Sequence, residues 1–221
     1  ITVDKPPAAI WLMALSVKMF GRSSWSVLLP QAILGIASVA VVYATVRRVR
    51  NMWVALIAGA VLATTPIATL IFRYNNPDAL LVFLIALAGY CCVRFLQRGA
   101  LAWAAGIGVA LGFAFLTKQL QGLLIAPGLA VAMLVSGAIT LRRRFVALGV
   151  VVASALVSAG WWVAIVTLTP PGDRPYIGGS PTNSFLELTF GYNGFQRLTG
   201  SKGSGLQSVW EGIGRLTSGA I

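Results

Sequence analysis

The chain has 221 residues, 57% hydrophobic and only 10% charged, with 17 Lys and Arg against 5 Asp and Glu and no His. A soluble domain carries roughly 25% charged residues, so this balance, with a mean hydropathy of +0.84, excludes an ordinary soluble fold and points to a polytopic membrane protein. The net charge of +12 does not mark a nucleic-acid partner, because the arginines cluster in short segments between apolar runs, where they set topology. The only cysteines, Cys91 and Cys92, are adjacent in an apolar run, so neither a disulfide framework nor a His/Cys metal centre can be built.

In chain order, Ile1 to Pro7 is polar and Pro-rich and reads as a loop. Ala8 to Phe20 is apolar but too short to cross a hydrocarbon core of about 30 Å, so it is expected to lie in the interface as a helix. Six longer apolar runs follow: Trp25 to Val46, Met52 to Phe72, Ala79 to Leu96, Leu101 to Thr117, Gln121 to Val135 and Val146 to Leu168. About six spanning helices plus one interfacial helix are therefore expected, an all-α transmembrane bundle over residues 1–168. From Thr169 onward, Pro170-Pro171-Gly172 stops the helical pattern, and residues 169–221 read as an extracytoplasmic loop region that leads to further helices. The chain begins without Met and ends just after a polar stretch, and it is expected to be a piece of a longer protein.

The basic segments Arg47–Arg50, Arg94–Arg98 and Arg142–Arg144 alternate so as to share one side, which holds eight arginines and no acid. By the positive-inside rule that side is cytoplasmic. All five acids, Asp4, Asp78, Asp173, Glu187 and Glu211, then fall outside.

The outer side also collects the polar stretch Arg73-Tyr74-Asn75-Asn76-Pro77-Asp78, the pair Asp4-Lys5, and Lys118-Gln119-Leu120-Gln121. Ionisable groups at a membrane edge are costly and mark a functional site by default. The plainer reading gives Asp78 a helix cap, Lys5 a headgroup anchor, Lys118 a solvated loop charge, and Asp4 a partner in Lys5. What favours function is their convergence. Cations at headgroup level suit a lipid phosphate, carboxylates suit proton transfer, and amides suit sugar hydroxyls. Together they fit transfer of a sugar from a lipid phosphate, with Lys5, Arg73 and Lys118 on the phosphate, Asp78 and Asp4 as the carboxylates, and Asn75, Asn76, Gln119, Gln121 and Tyr176 on the sugar or acceptor. An Asp4–Asp78 pair could hold a divalent ion, though nothing in the sequence requires a metal or other cofactor.

Three ordered blocks carry a family resemblance. Asp4-Lys5-Pro6-Pro7 with Trp11 and Lys18-Met19-Phe20-Gly21, then Asn76-Pro77-Asp78-Ala79-Leu80-Leu81, then Gly112-Phe113-Ala114-Phe115-Leu116-Thr117-Lys118, resemble the corresponding blocks of the family 39 glycosyltransferases. That group includes the protein O-mannosyltransferases and the lipid A aminoarabinose transferases. Asp173 to Ser180, with Asn183-Ser184 and Gly191-Tyr192-Asn193-Gly194, is similar to a bacterial mannosyltransferase-like branch. The resemblance implies a C-type glycosyltransferase fold in the bacterial plasma membrane, an extracytoplasmic active site, a polyprenyl-phosphate sugar donor, and a protein, lipid or glycan acceptor. It also implies that Lys5 meets the donor phosphate, that Asp4 and Asp78 are the family's acidic positions, and that Lys118 shapes the same cavity. The family's first-loop carboxylate lies upstream of the KPP block, before this chain starts, and Glu187 or Asp173 cannot be assumed to replace it. The chain by itself is accordingly expected to be inactive. A lipid-substrate transporter or flippase, or a non-catalytic scaffold, are the alternatives. A transporter needs polar groups at mid-depth in broken helices, whereas here they gather at one rim.

Overall fold

The computed structural model describes residues 2–3, 6–137, 139–170, 172–177, 180 and 182–195. It divides into two units: residues 5–168 form a helical body, and residues 1–4 with 169–221 form a second, smaller unit.

The helical body is a membrane bundle. Among the described residues, four helices are long and apolar enough to cross a bilayer: α2 (Ser24–Val49), α5 (Asp78–Arg98), α6 (Leu101–Lys118, whose span extends through Leu123) and α8 (Leu141–Leu168). Shorter apolar helices accompany them: α1 (Ala8–Phe20), α3 (Met52–Thr64), α4 (Pro66–Ile71) and α7 (Ala126–Val135). Large apolar side chains such as Ile36, Leu156 and Val157 lie open on the bundle surface. In water such a surface would aggregate, and against lipid it is the expected outside.

Local chemistry accounts for the helix ends. Ser23 and Ser26 cap α2 reciprocally, each side chain accepting from the other's backbone N–H. Asn51 caps α3 by accepting from the Val54 N–H at 3.0 Å. The apolar run Met52 to Phe72 is broken in two because Thr65, standing before Pro66, is pushed into an extended conformation, and Pro66 then starts α4. Gly99, in the left-handed region at φ 64°, ends α5 and turns the chain straight into α6. The run Gln121 to Val135 also departs from expectation. A tight 3-10 turn, Gln119–Leu123, takes its first residues and leaves only ten for α7.

The arginines of the basic segments do more than set topology. Leu141 to Phe145 is the first turn of α8 rather than a loop. There Arg143 Nε donates to the Gly99 carbonyl at 2.5 Å, and Arg144 donates to the carbonyls of Ile139 and Leu134, both at 2.6 Å. These bonds satisfy carbonyls left over at the ends of α5 and α7 and in the segment that leads into α8. Arg94 is buried inside α5, its guanidinium 4.6 Å from the Trp103 ring centre and 5.9 Å from that of Tyr90. The aromatic faces carry the charge there in place of water.

The tightest packing is α6 on α8. Gly108 and Gly112 bring the α6 backbone against Ser154 and Ser158, so that a Cβ at either glycine would overlap a serine Oγ and an α8 carbonyl. Small residues spaced four apart, with a serine row opposite, are a common way for membrane helices to approach closely. Two buried clusters flank this contact. One holds Phe95, Ile107, Leu111 and Met133; the other holds Ala8, Leu34, Ala79, Leu80, Leu84, Ala114 and Leu116.

In the second unit, Thr2–Val3 (β1) pairs in parallel with Tyr176–Ile177 (β2), Thr2 opposite Tyr176. A helical stretch follows, Phe185–Glu187 (α9) running on through Leu188–Phe195 with wider π-type turns.

The α6–α8 contact yields a direct test. Gly108→Leu, by overpacking, should lower stability by about 1–3 kcal/mol or more and reduce the thermal unfolding temperature in detergent. Gly128→Ala, on α7 where nothing lies within 4 Å, should leave it unchanged or slightly raised.

Candidate active site

The α5–α6 hairpin carries the centre of the candidate site. Because the two helices are joined by a turn of two residues and run antiparallel, the first residue of α5 and the last of α6 come to the same end. Those residues are Asp78 and Lys118, and Lys118 Nζ lies 2.5 Å from Asp78 Oδ1. Each is also in the favourable position for its own helix, a carboxylate at an N-terminus and an ammonium at a C-terminus. The side chains are about a quarter exposed, 26% for Asp78 and 22% for Lys118, so the pair is sheltered yet reachable. It is the one ion pair among the described residues.

Asn76 shapes the approach to Asp78. Its Oδ1 accepts from the Asp78 N–H in an Asx-type turn, while its Nδ2 is buried without a hydrogen-bond partner among the described residues. On the other side of the ion pair, Gln119 follows Lys118 with φ 51° and is buried. A non-glycine residue in that region is held there by its surroundings. Gly122 lets the turn close, since a Cβ there would run into the Ala114 backbone carbonyl.

Arg73 and Asn75 occupy the same polar turn and are exposed. Arg73 lines a groove of about 280 Å³ between α2 and the broken α3–α4 segment, together with Gly35, Ile36, Leu62, Thr69 and Phe72. Gln121 is exposed on the 3-10 turn. Tyr176 is exposed in the second unit, on β2. Asp4 and Lys5 lie outside the described residues. The structure thus brings together Asp78, Lys118 and Asn76, with Gln119 next in chain to Lys118, and puts Arg73 and Asn75 on the adjoining turn.

Among the acids considered as stand-ins for an upstream carboxylate, Glu187 has a different occupation. Its Oε2 accepts from the Ser180 hydroxyl at 2.5 Å, the Thr182 hydroxyl at 2.7 Å and the Thr182 N–H at 3.2 Å. These bonds, the Ser180 hydroxyl first, hold its carboxyl below the ordinary glutamate range against a small opposing effect of desolvation. It ties its own loop together. Sequence reasoning missed Gln31 and Ser16, polar residues buried within apolar helices; the signal available was a single polar letter in each run.

The chain belongs to the dolichyl-phosphate-mannose-protein mannosyltransferase family, whose sequence pattern matches residues 4–162. The matched region takes in the KPP block, the Asp78 turn and Lys118. Two Bacillus subtilis relatives are similar to it. "Putative mannosyltransferase YkcB" is 41% identical over 209 residues, 95% of this chain and 29% of the relative. "Putative mannosyltransferase YycA" is 37% identical over 202 residues, 90% of this chain and 29% of the relative. A Proteus mirabilis protein, undecaprenyl phosphate-alpha-4-amino-4-deoxy-L-arabinose arabinosyl transferase 2, is 28% identical over 179 residues, 76% of this chain and 31% of its own length. The chain therefore spans about 29% of the length of its two Bacillus relatives. No solved structure matches it.

The Glu187 cluster predicts a pH response. Its carboxyl is lowered by folding, so its contribution is full above the unfolded glutamate pKa of about 4.3 and is lost as pH falls through the folded value. Amide hydrogen exchange between Thr182 and Leu188 should accelerate as pH drops through that window, after correction for intrinsic rates. Glu187→Gln should remove the transition.

Proposed function

We propose that the protein to which this chain belongs is an integral-membrane glycosyltransferase that moves a sugar from a polyprenyl-phosphate donor to an acceptor at the extracytoplasmic face. The observation that carries this reading is the meeting of Asp78 and Lys118, a carboxylate and a cation from opposite ends of a helical hairpin, 2.5 Å apart at a sheltered but reachable rim. Stability alone is a weak reason for such a pair, since a partly exposed ion pair contributes only about 0–1 kcal/mol.

The chemistry follows from what each group can do. In sugar transfer an acceptor oxygen forms a bond to the anomeric carbon, while the bond from that carbon to the phosphate oxygen breaks. The phosphate leaves with the electron pair, and the acceptor's proton goes to a base. Lys118 has three N–H donors, so it can hold Asp78 and still donate to a phosphate oxygen. Arg73, the charged residue among the lining of an apolar groove, suits the same phosphate while the groove takes the adjoining prenyl units; Lys5 would be the third cation. Asp78 is the carboxylate available to take the proton or orient the acceptor hydroxyl. Asn75, Asn76, Gln119 and Gln121 would supply hydrogen bonds to sugar or acceptor. The relatives' names, mannosyl- and arabinosyl-transferases, one with an undecaprenyl-phosphate sugar in its name, support this class of reaction.

In the full-length protein, Asp78→Asn should lower sugar transfer by about 100-fold or more with normal expression and folding. Arg73→Ala should chiefly raise the donor KM. Wild-type transfer rates in Asp78→Asn would refute the reading and favour a scaffold.

A further inference from the structure

The basic end of the helical body carries more charge than the fold uses. Asp78 is the only acid in residues 5–168, and it stands at the opposite end of α5. At the basic end, Arg144 and the Arg143 Nε donate to carbonyls, and Arg94 is buried against Trp103. Arg47, Arg48, Arg50, Arg98 and Arg142 are exposed, and their guanidiniums have no hydrogen bond or ion pair among the described residues. Orientation in a membrane requires only that positive charge be on one side. It does not require the arginines to be gathered at one place.

The end of α5 gathers them. Gln97 Nε2 donates to the Arg48 carbonyl at 2.8 Å, which holds the end of α2 against the end of α5. Two residues on, the Gly99 carbonyl accepts from Arg143 Nε at 2.5 Å, which brings in the start of α8. Arg98 lies in the chain between these two contacts. Three helices thus deliver Arg48, Arg98 and Arg143 to the short segment 97–99, and Arg47 and Arg142 are next in chain to two of them. Like charges brought this close repel one another, more strongly at a membrane edge than in bulk water. An anion among them removes that cost.

The surrounding surface indicates which anion. Trp53 is exposed in the first turn of α3, just past Arg50, and Phe145 is exposed in the first turn of α8, just past Arg144. Exposed aromatic rings at the ends of membrane helices sit at headgroup level, where lipid phosphates lie. Val49, Met52 and Leu141 are exposed beside the arginines and offer apolar surface. A soluble anion would match the cations and leave this apolar border unused, whereas a phospholipid matches both. We propose that the arginines around residues 97–99 form a binding site for an anionic phospholipid, with Arg48, Arg98 and Arg143 on its phosphate and its acyl chains along the adjoining apolar surface. Guanidinium suits the task because its planar fork can give two parallel hydrogen bonds to a phosphate, and basic pockets between membrane helices are where anionic headgroups are held. The site lies at the other end of the α5–α6 hairpin from Asp78 and Lys118 and does not depend on the transferase reading.

The test is native mass spectrometry of the full-length protein titrated with phosphatidylglycerol and, separately, with phosphatidylcholine of the same acyl chains. Both lipids carry a phosphate, and only the first has a net negative charge. Wild type should bind phosphatidylglycerol more tightly. Arg48→Gln combined with Arg98→Gln should weaken phosphatidylglycerol by up to about thirtyfold, at about fivefold per arginine, and leave phosphatidylcholine unchanged. Should the double variant fail to fold, each single variant should show its own fivefold loss. Arg22→Gln, at the far end of α2, should leave both affinities as in wild type. Equal affinity of wild type for the two lipids overturns the proposal. So does wild-type binding of phosphatidylglycerol by the double variant, or a loss in Arg22→Gln as large as in Arg98→Gln, which marks a diffuse charge effect. Displacement of the lipid by an equal concentration of glycerol phosphate marks a small-anion site and overturns the lipid assignment.

Discussion

The candidate site exists because α5 and α6 are an antiparallel hairpin closed by Gly99. A turn that short leaves no freedom in which helix ends meet. Asp78 and Lys118 are distant in sequence, and the hairpin makes them neighbours at one rim of the bundle. The contact of α6 with α8 then holds the hairpin in place. Gly108 and Gly112 remove the side chains that would keep the two backbones apart, and Ser154 and Ser158 fill the space with small groups already bonded to their own helix carbonyls. A bilayer offers no hydrophobic drive between helices, so this close fit takes over the role that apolar burial has in water.

A second constraint comes from one proline. Pro66 forces Thr65 out of helical geometry and divides a continuous apolar run into α3 and α4. The break opens the groove beside α2, and it leads α4 into the polar turn that begins with Arg73. The Thr65 hydroxyl, donating to the Val61 carbonyl at 2.6 Å, occupies an acceptor near the break, which is how irregular backbone survives at membrane depth.

At the opposite end of the hairpin the cations serve the fold. Arg143 and Arg144 bond carbonyls at the ends of α5 and α7, and Arg94 rests on Trp103 and Tyr90. Guanidinium suits these places because its planar fork can serve several carbonyls or stack on a ring. The chain therefore uses its positive charge in two ways, as local fasteners at this end and as exposed or paired groups, Arg73 and Lys118, at the other.

Much of this was legible in the sequence. Apolar runs of spanning length, separated by arginines and Asn-Pro or Gly-Ala breaks, dictate a membrane helical bundle, because backbone groups in lipid must be satisfied within helices. The Asp78 and Lys118 blocks stood out for the cost of charge at a membrane edge. Three features depended on the folded chain: that Asp78 and Lys118 touch, that Arg94 is buried, and that the Gln31 amide oxygen is buried with no hydrogen-bond partner among the described residues. A sequence specifies which residues are polar and where helices start and stop, since those are properties of neighbours in the chain. Which polar atoms find each other, and which are left over, is decided by helix rotation and by the Gly–Ser contact, which operate between residues that are far apart in sequence.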